Sequence, residues 1–169
     1  AVAGMAIVGR LTPVAFGILF ALSGAVGPIV GQNFGAGKTE RVKRTYYEAM
    51  LFTALVVVLV SGVLFGLREL IAALFTATGE ARNILFLFCG PLALAFFFNG
   101  MIFVSNASFN NVGYPYTSTW VNWGRHTIGT ILPVMVFSAW LGAEGVLIGQ
   151  AAGGVVFGLL SFVLVRRLM

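Results

Sequence analysis

A chain of 169 residues with 59% hydrophobic residues, 9% charged residues and a mean hydropathy of +0.99 lies outside the range of soluble domains, about a quarter of whose residues are charged. Ten Lys and Arg against five Glu and no Asp give a net charge of +5, but the cations gather at the ends of apolar runs, where membrane orientation and anionic head groups account for them; nucleic acid is not implied. One cysteine, Cys89, excludes an intrachain disulfide and a cysteine-based metal cluster, and a single His with no Asp leaves enzymatic or metal-dependent chemistry almost no material, so neither cofactor nor metal is expected.

Uncharged runs cover residues 11–37, 49–67, 83–124, 126–143 and 145–165. The third is about twice the roughly 20 residues needed to cross a bilayer, and the turn residues Asn110-Asn111-Val112-Gly113-Tyr114-Pro115 divide it. The expected fold is therefore an all-α membrane protein with five transmembrane helices, over about 11–33, 49–67, 83–106, 117–141 and 145–165. Residues 1–10 are too short to span and are read as the end of a preceding helix or as a short interfacial piece. A chain that opens on nine apolar or small residues without a starting Met reads as a segment of something longer, with no cleavable signal peptide.

Span one carries Pro13, Ser23-Gly24 and Gly27-Pro28 and is expected to kink, since proline removes a donor and crowds the preceding turn. Kinks at membrane depth persist where protein or water satisfies the freed backbone groups. That points to a helix facing a cavity, unless the kinks only improve packing. The stretch that follows organises the chain. Gln32 and Asn33 stand at the edge of the apolar run, Gly35 and Gly37 free the backbone for a turn, and Lys38, Arg41, Lys43 and Arg44 arrive with only Glu40 among them. A hydrophobic helix reaches the cytoplasmic face of a bilayer in this way. Gly37-Lys38-Thr39 imitates the end of a phosphate-binding loop, but Gln32 stands where that loop needs its first glycine and no strand precedes it.

Residues 39–48 are expected to form a surface helix leading into span two, where Gly62 and Gly66 make a GxxxG pair, a signal of close packing. The charge-balanced segment 68–82, with Arg68, Glu69, Glu80 and Arg82, suits the membrane interface. Span three has Pro91 in its first turns, the cluster Phe96 to Phe98, and then Asn99. Its exit, Ser105, Asn106, Ser108, Asn110 and Asn111, either lines an aqueous vestibule or caps the helix and builds the turn.

Span four places Arg125 about 12 Å from its start at 1.5 Å per residue. Ser118, Asn122, Arg125 and Gly129 recur at helical spacing and so share a face. An ionisable group within a span is a functional candidate by default. Against this, Tyr114, Tyr116, Trp120 and Trp123 mark an interfacial belt at which Arg125 would snorkel, with a packing and orientation role. His126 points off the polar face and is read as structural. Span five repeats Gly145, Gly149 and Gly153 and adds Gly154 and Gly158, a smooth stripe for close helix packing, and Arg166-Arg167 ends it. Five spans put Lys38, Arg41, Lys43, Arg44, Arg166 and Arg167 on one side against Arg10, Arg68 and Arg82 on the other, which makes the first side cytoplasmic.

Pro28, Gly31, Gln32, Asn33, Gly35, Ala36 and Gly37 fit the pattern P-x-x-G-Q-N-x-G-A-G leading into a basic loop. Asn110, Gly113 and Pro115, with Arg125 and Pro133 beyond them, fit an N-x-x-G-x-P turn and the span after it. In these two motifs, and in their order and distance, the chain resembles the second, C-terminal lobe of the multidrug and toxic compound extrusion (MATE) family. The resemblance implies five helices forming most of one six-helix bundle of a twelve-helix inner-membrane transporter, with a cavity between the two lobes. It also implies exchange of a cationic small molecule for H+ or Na+, with an N-terminal lobe and membrane lipids as partners. Span three has no acid where sodium-using members carry one, so a coupling carboxylate is expected outside this chain. Gln32, Asn33, Asn99, Asn106, Asn110, Asn122 and Arg125 are the candidates for the substrate or ion pathway; Pro28, Gly31, Gly35, Gly37, Gly113 and Pro115 are structural. A lipid-linked oligosaccharide flippase of similar architecture, whose cavity would be cationic, and a non-transporting membrane assembly subunit are the alternatives.

Overall fold

Every buried backbone group in a bilayer needs an internal partner, which leaves helix as the only option for runs this apolar. The computed structural model describes residues 1–168 and is helical throughout, with no strand among them: α1 Val2–Gly35, α2 Thr39–Leu74, α3 Gly79–Leu87, α4 Ala93–Asn111, α5 Pro115–His126 and α6 Ile128–Leu168. A π-helical turn, Phe88–Leu92, joins α3 to α4 and is kinked at Gly90, whose backbone (φ −98°, ψ −117°) leaves helical geometry just before Pro91. Four stretches are long and apolar enough to cross a membrane, Val2–Gly35, Thr39–Leu74, Gly79–Asn111 and Pro115–Leu168. The five expected spans are thus met by four such stretches, because spans four and five fall within the last.

That last stretch folds back on itself. Gly142 has φ 59° and ψ −132°, a backbone that interrupts α6 and that an L side chain rarely adopts. Beyond it Gly145 faces Phe137, Gly149 faces Pro133 and Val134, and Gly153 faces Gly129, so the arms on either side of Gly142 run antiparallel. They touch backbone to backbone: a methyl group at position 149 would stand 2.7 Å from Val134 Cα. Gly158, on another side of the same arm, is seated on Phe98 of α4, with Cβ 2.8 Å from where its own would be.

The long helices exceed their expected limits at both ends. α1 has 34 residues, about 51 Å at 1.5 Å per residue, against a hydrocarbon core of about 30 Å. Residues 1–10 are not a separate piece. Gly4, Ile7 and Val8 are buried, with Gly4 against Ala81 and Ile84 of α3, so packing extends the helix upstream of Arg10. Pro13 and Pro28 lie inside α1 without ending it. α2 absorbs the expected surface helix, span two and residues 68–74 of the interfacial segment into one helix of 36 residues, while residues 79–82 open α3. Its Gly62 and Gly66 meet no atom within 4 Å, so this GxxxG pair makes no helix contact within the chain; Leu51, Leu55, Val58 and Leu59 share its exposed surface.

α4 is the central helix and packs on α1, α2, α5 and α6. One buried cluster gathers Phe16, Leu19, Val57, Ile84, Phe88 and Leu147, and a second, towards the other end, gathers Val30, Tyr46, Ile102, Phe109, Val121 and Val165. The ends differ in charge. Lys38, Arg41, Lys43, Arg44, Arg166 and Arg167, with Glu40 and Glu48, belong to the end of the second cluster, whereas Arg10, Arg68 and Arg82 share the other end with Glu69, Glu80 and Glu144. Arg82 donates to Glu69 at 2.7 Å, and Arg68 lies 4.1 Å over the Phe65 ring.

The glycine contacts give a direct check. Gly149→Leu forces a side chain into backbone and should lower the apparent melting temperature in detergent by roughly 3–10 °C, as overpacking at a chain of this size does. Gly62→Leu, in open space, should leave it within about 2 °C. Equal effects of the two substitutions, measured by fluorescence-detected size exclusion after heating, would contradict this packing.

Candidate functional site

The two motifs that organise the sequence meet in space. Asn111 follows Asn110 at the C-terminus of α4, and its Nδ2 bonds back to Ala107 O at 2.8 Å. Methyl groups at positions 27 and 31 of α1 would stand 2.9 Å from its Nδ2 and 3.0 Å from its Oδ1. Gly27 and Gly31, one helical turn apart, thus leave the space that the Asn111 amide fills. Gly37 (φ 69°) and Gly113 (φ 88°) take the left-handed backbone of the turns after α1 and α4, Gly35 ends α1, and Pro115 opens α5, where its missing N–H costs no bond. Pro28 stays within α1, so the structural set acts as turn and close-contact residues rather than as a helix break.

The polar face expected on span four is turned inward onto α4. Asn106 Nδ2 donates to Asn122 Oδ1 at 3.1 Å. Close to two turns earlier on α4, the Arg125 guanidinium donates to Oδ1 of the buried Asn99. Arg125 therefore does not snorkel to the interface, as the aromatic belt suggested: Trp120 and Trp123 are exposed, while Arg125, on another side of the helix, reaches into the bundle. Gly154 of α6 gives Asn99 room, since a methyl group there would stand 3.4 Å from its Oδ1. Gly124 and Gly129 together accommodate the Phe157 ring, which fixes α5 and the first arm of α6 against the second arm.

Asn99 and Arg125 border a cavity of about 580 Å³ between α1, the π-helical turn, α4 and α6, within the range of small-molecule pockets. Phe20, Phe88, Phe96 and Phe103 supply much of its wall and Thr12 and Gln150 add polar groups. The Phe96 ring is fixed from behind by stacking on Phe16, centroids 4.1 Å apart. Pro13, with no N–H, leaves the Gly9 carbonyl without its helical donor, and Gly9 and Pro13 both line the cavity. The expectation that span one faces a cavity is met here. Among the described residues, Arg125 is the only charged one on the wall.

The other candidates lie elsewhere. Gln32 and Asn110 are exposed at helix ends, and Asn33 Nδ2 is used by Ile29 O at 2.8 Å; none of the three borders the cavity. Asn106 and Asn122 pair with each other beside it. Gln150 was missed, although a lone amide within the uncharged run 145–165 is itself a signal, and so was Thr12. No group of three or more His, Cys, Asp or Glu among the described residues is placed to hold a metal ion.

Residues 1–135 match the MatE family. An uncharacterized 21 kDa protein from the iaaL 5' region of Pseudomonas savastanoi is 32% identical over 173 residues, which cover 92% of this chain and 51% of that protein. A FAD transporter of Shewanella oneidensis is 24% identical, over 94% of this chain and 35% of its own length. The chain thus spans about half of one curated relative and about a third of the other. Among solved structures, the Vibrio cholerae MATE transporter VcmN superposes with a TM-score of 0.90 at 20% identity, covering 98% of this chain and 38% of that one. A MOP superfamily transporter from Pyrococcus furiosus superposes with a TM-score of 0.88 at 20% identity and the same coverage. These likenesses establish the fold, and the match over residues 1–135, most of the chain, places the protein in the MatE family.

Proposed function

We propose that this chain is most of the C-terminal lobe of a MATE-type efflux transporter, that it crosses the inner membrane five times, and that its cavity is this lobe's share of the substrate pathway. The observation that carries the reading is the cavity. A cavity of about 580 Å³ with Thr12, Asn99, Arg125 and Gln150 on a mostly apolar wall is what a substrate pathway needs and what a purely structural subunit has no use for. The fivefold crossing rests on the reversal at Gly142 and on the charge sorting, which leaves one end of the bundle rich in Lys and Arg and the other balanced. That basic end is assigned to the cytoplasm.

Transport in this reading is alternating access, two lobes rocking about a shared central site. The partner lobe is the remainder of a transporter of which this chain matches 38% by length in VcmN. Export is driven by H+ or Na+, and because the cavity wall here carries no carboxylate, the coupling acid belongs to the partner lobe. A counter-charge for a cationic substrate would have to come from there as well. The rigid helices on either side of the cavity are coupled through α4, so a substrate bound at Asn99 touches the element on which α1, α2, α5 and α6 all pack.

Two measurements test the reading. In a Cys89→Ser variant expressed in cells, a cysteine introduced at Thr78 should react with an impermeant thiol reagent added outside, and one at Thr39 should be protected; the reverse pattern overturns the orientation. In liposomes with an imposed proton or sodium gradient, the full-length parent should move fluorescent organic dyes, and this chain alone should insert without moving them. Gradient-dependent dye movement by this chain alone would overturn the two-lobe mechanism.

A further inference from the structure

Arg125 sits in an unusual electrostatic position for an arginine at membrane depth. Its guanidinium offers five N–H donors; one partner is the neutral Asn99 carbonyl, and the cavity wall holds no carboxylate to balance the charge. An uncompensated charge inside a membrane protein is expensive and marks a working site. The planar fork matches carboxylate and phosphate oxygens two at a time. Around it the wall is aromatic, with Phe20, Phe88, Phe96 and Phe103, and Gln150 adds an amide. We infer that this cavity binds planar aromatic organic anions, the carboxylate or phosphate on Arg125 and the ring system among the phenylalanines. Asn99 is the positioning residue that aims the guanidinium into the cavity. The anion's role as cargo rests on the transporter reading; its binding does not.

The test is equilibrium binding to the 169-residue chain in nanodiscs of zwitterionic lipid, with three probes that share one ring: naphthyl phosphate, neutral naphthylmethanol and cationic naphthylmethylammonium. The phosphate should bind about tenfold more tightly than the other two, the scale of one charge-assisted pair. Arg125→Gln should bring the three within about twofold of one another, Arg125→Lys should keep part of the preference, and Asn99→Ala should narrow the preference for the phosphate over the neutral probe by about threefold. Monodisperse elution of each variant shows that it is folded, and the Lys variant serves if the Gln variant is not. Equal affinities in the unmodified chain, a preference for the ammonium, or a phosphate preference that survives Arg125→Gln would overturn the inference. Loss of phosphate binding when phosphatidylglycerol is added to the discs would assign the site to a lipid head group and overturn the soluble-ligand reading. None of these outcomes bears on gradient-driven transport by the full-length parent, so the two readings fail separately.

Discussion

Close backbone approach along the second arm of α6 is the constraint on which the rest of this bundle depends. Hydrophobicity cannot draw helices together in lipid, where the surroundings are as apolar as the side chains, so contact comes from shape and from polar pairs. Gly145, Gly149 and Gly153 let the two arms of α6 meet without intervening side chains, and Gly158 seats the same arm on Phe98 of α4. One helix thereby fixes two neighbours. The Phe157 ring between Gly124 and Gly129 extends the arrangement to α5.

Asn99 meets Arg125 because of that packing. With Gly154 leaving space beside Asn99, α5 lies close enough for the guanidinium of Arg125 to reach the Asn99 amide rather than the interface. A bulkier α6 would hold the helices apart and leave the arginine to snorkel. The cavity is the complement of the same packing: α1 and α6 each touch α4, and the Phe88–Leu92 turn, where Gly90 leaves helical geometry, interrupts regular helix at its wall. Asn106 and Asn122 continue the polar seam one step further along the two helices.

Much of this was legible in the sequence, and the failures have physical causes. Composition alone gives an all-helical membrane protein, and that Ser118, Asn122, Arg125 and Gly129 share one face follows from their helical spacing; that the face turns inward does not. Helix ends were misjudged where a charge was taken as a boundary. Arg10 and Arg68 are helical because burial of Gly4, Ile7 and Val8 on one side, and of Leu64 and Ala72 on the other, outweighs the charges between. Two glycine patterns of the same spacing parted company: 145–149–153 is buried against a neighbour, while Gly62 and Gly66 face outward, and spacing alone does not say which face of a helix finds a partner. Arg125 was visible as an anomaly, but its direction depended on whether Asn99, 26 positions earlier, lay within reach. Gln150 stood out as a lone amide in an apolar run and Thr12 in no pattern, and neither could be tied to Arg125, because a cavity is assembled from helices distant in sequence.

The central claim is that the space beside Arg125 is a reachable chamber and not merely a gap between helices. Reactivity of single cysteines in the Cys89→Ser background tests it most directly. Gln150→Cys borders the cavity, and Leu55→Cys lies on the outer surface of α2, near the level at which Thr53 meets Gly100 of α4. A small hydrophilic thiol reagent should modify the cysteine at 150 at least about tenfold faster than the one at 55, since thiolate chemistry requires water. Equal slow rates at both positions would mean that the cavity is closed to water and that the account of this site is wrong.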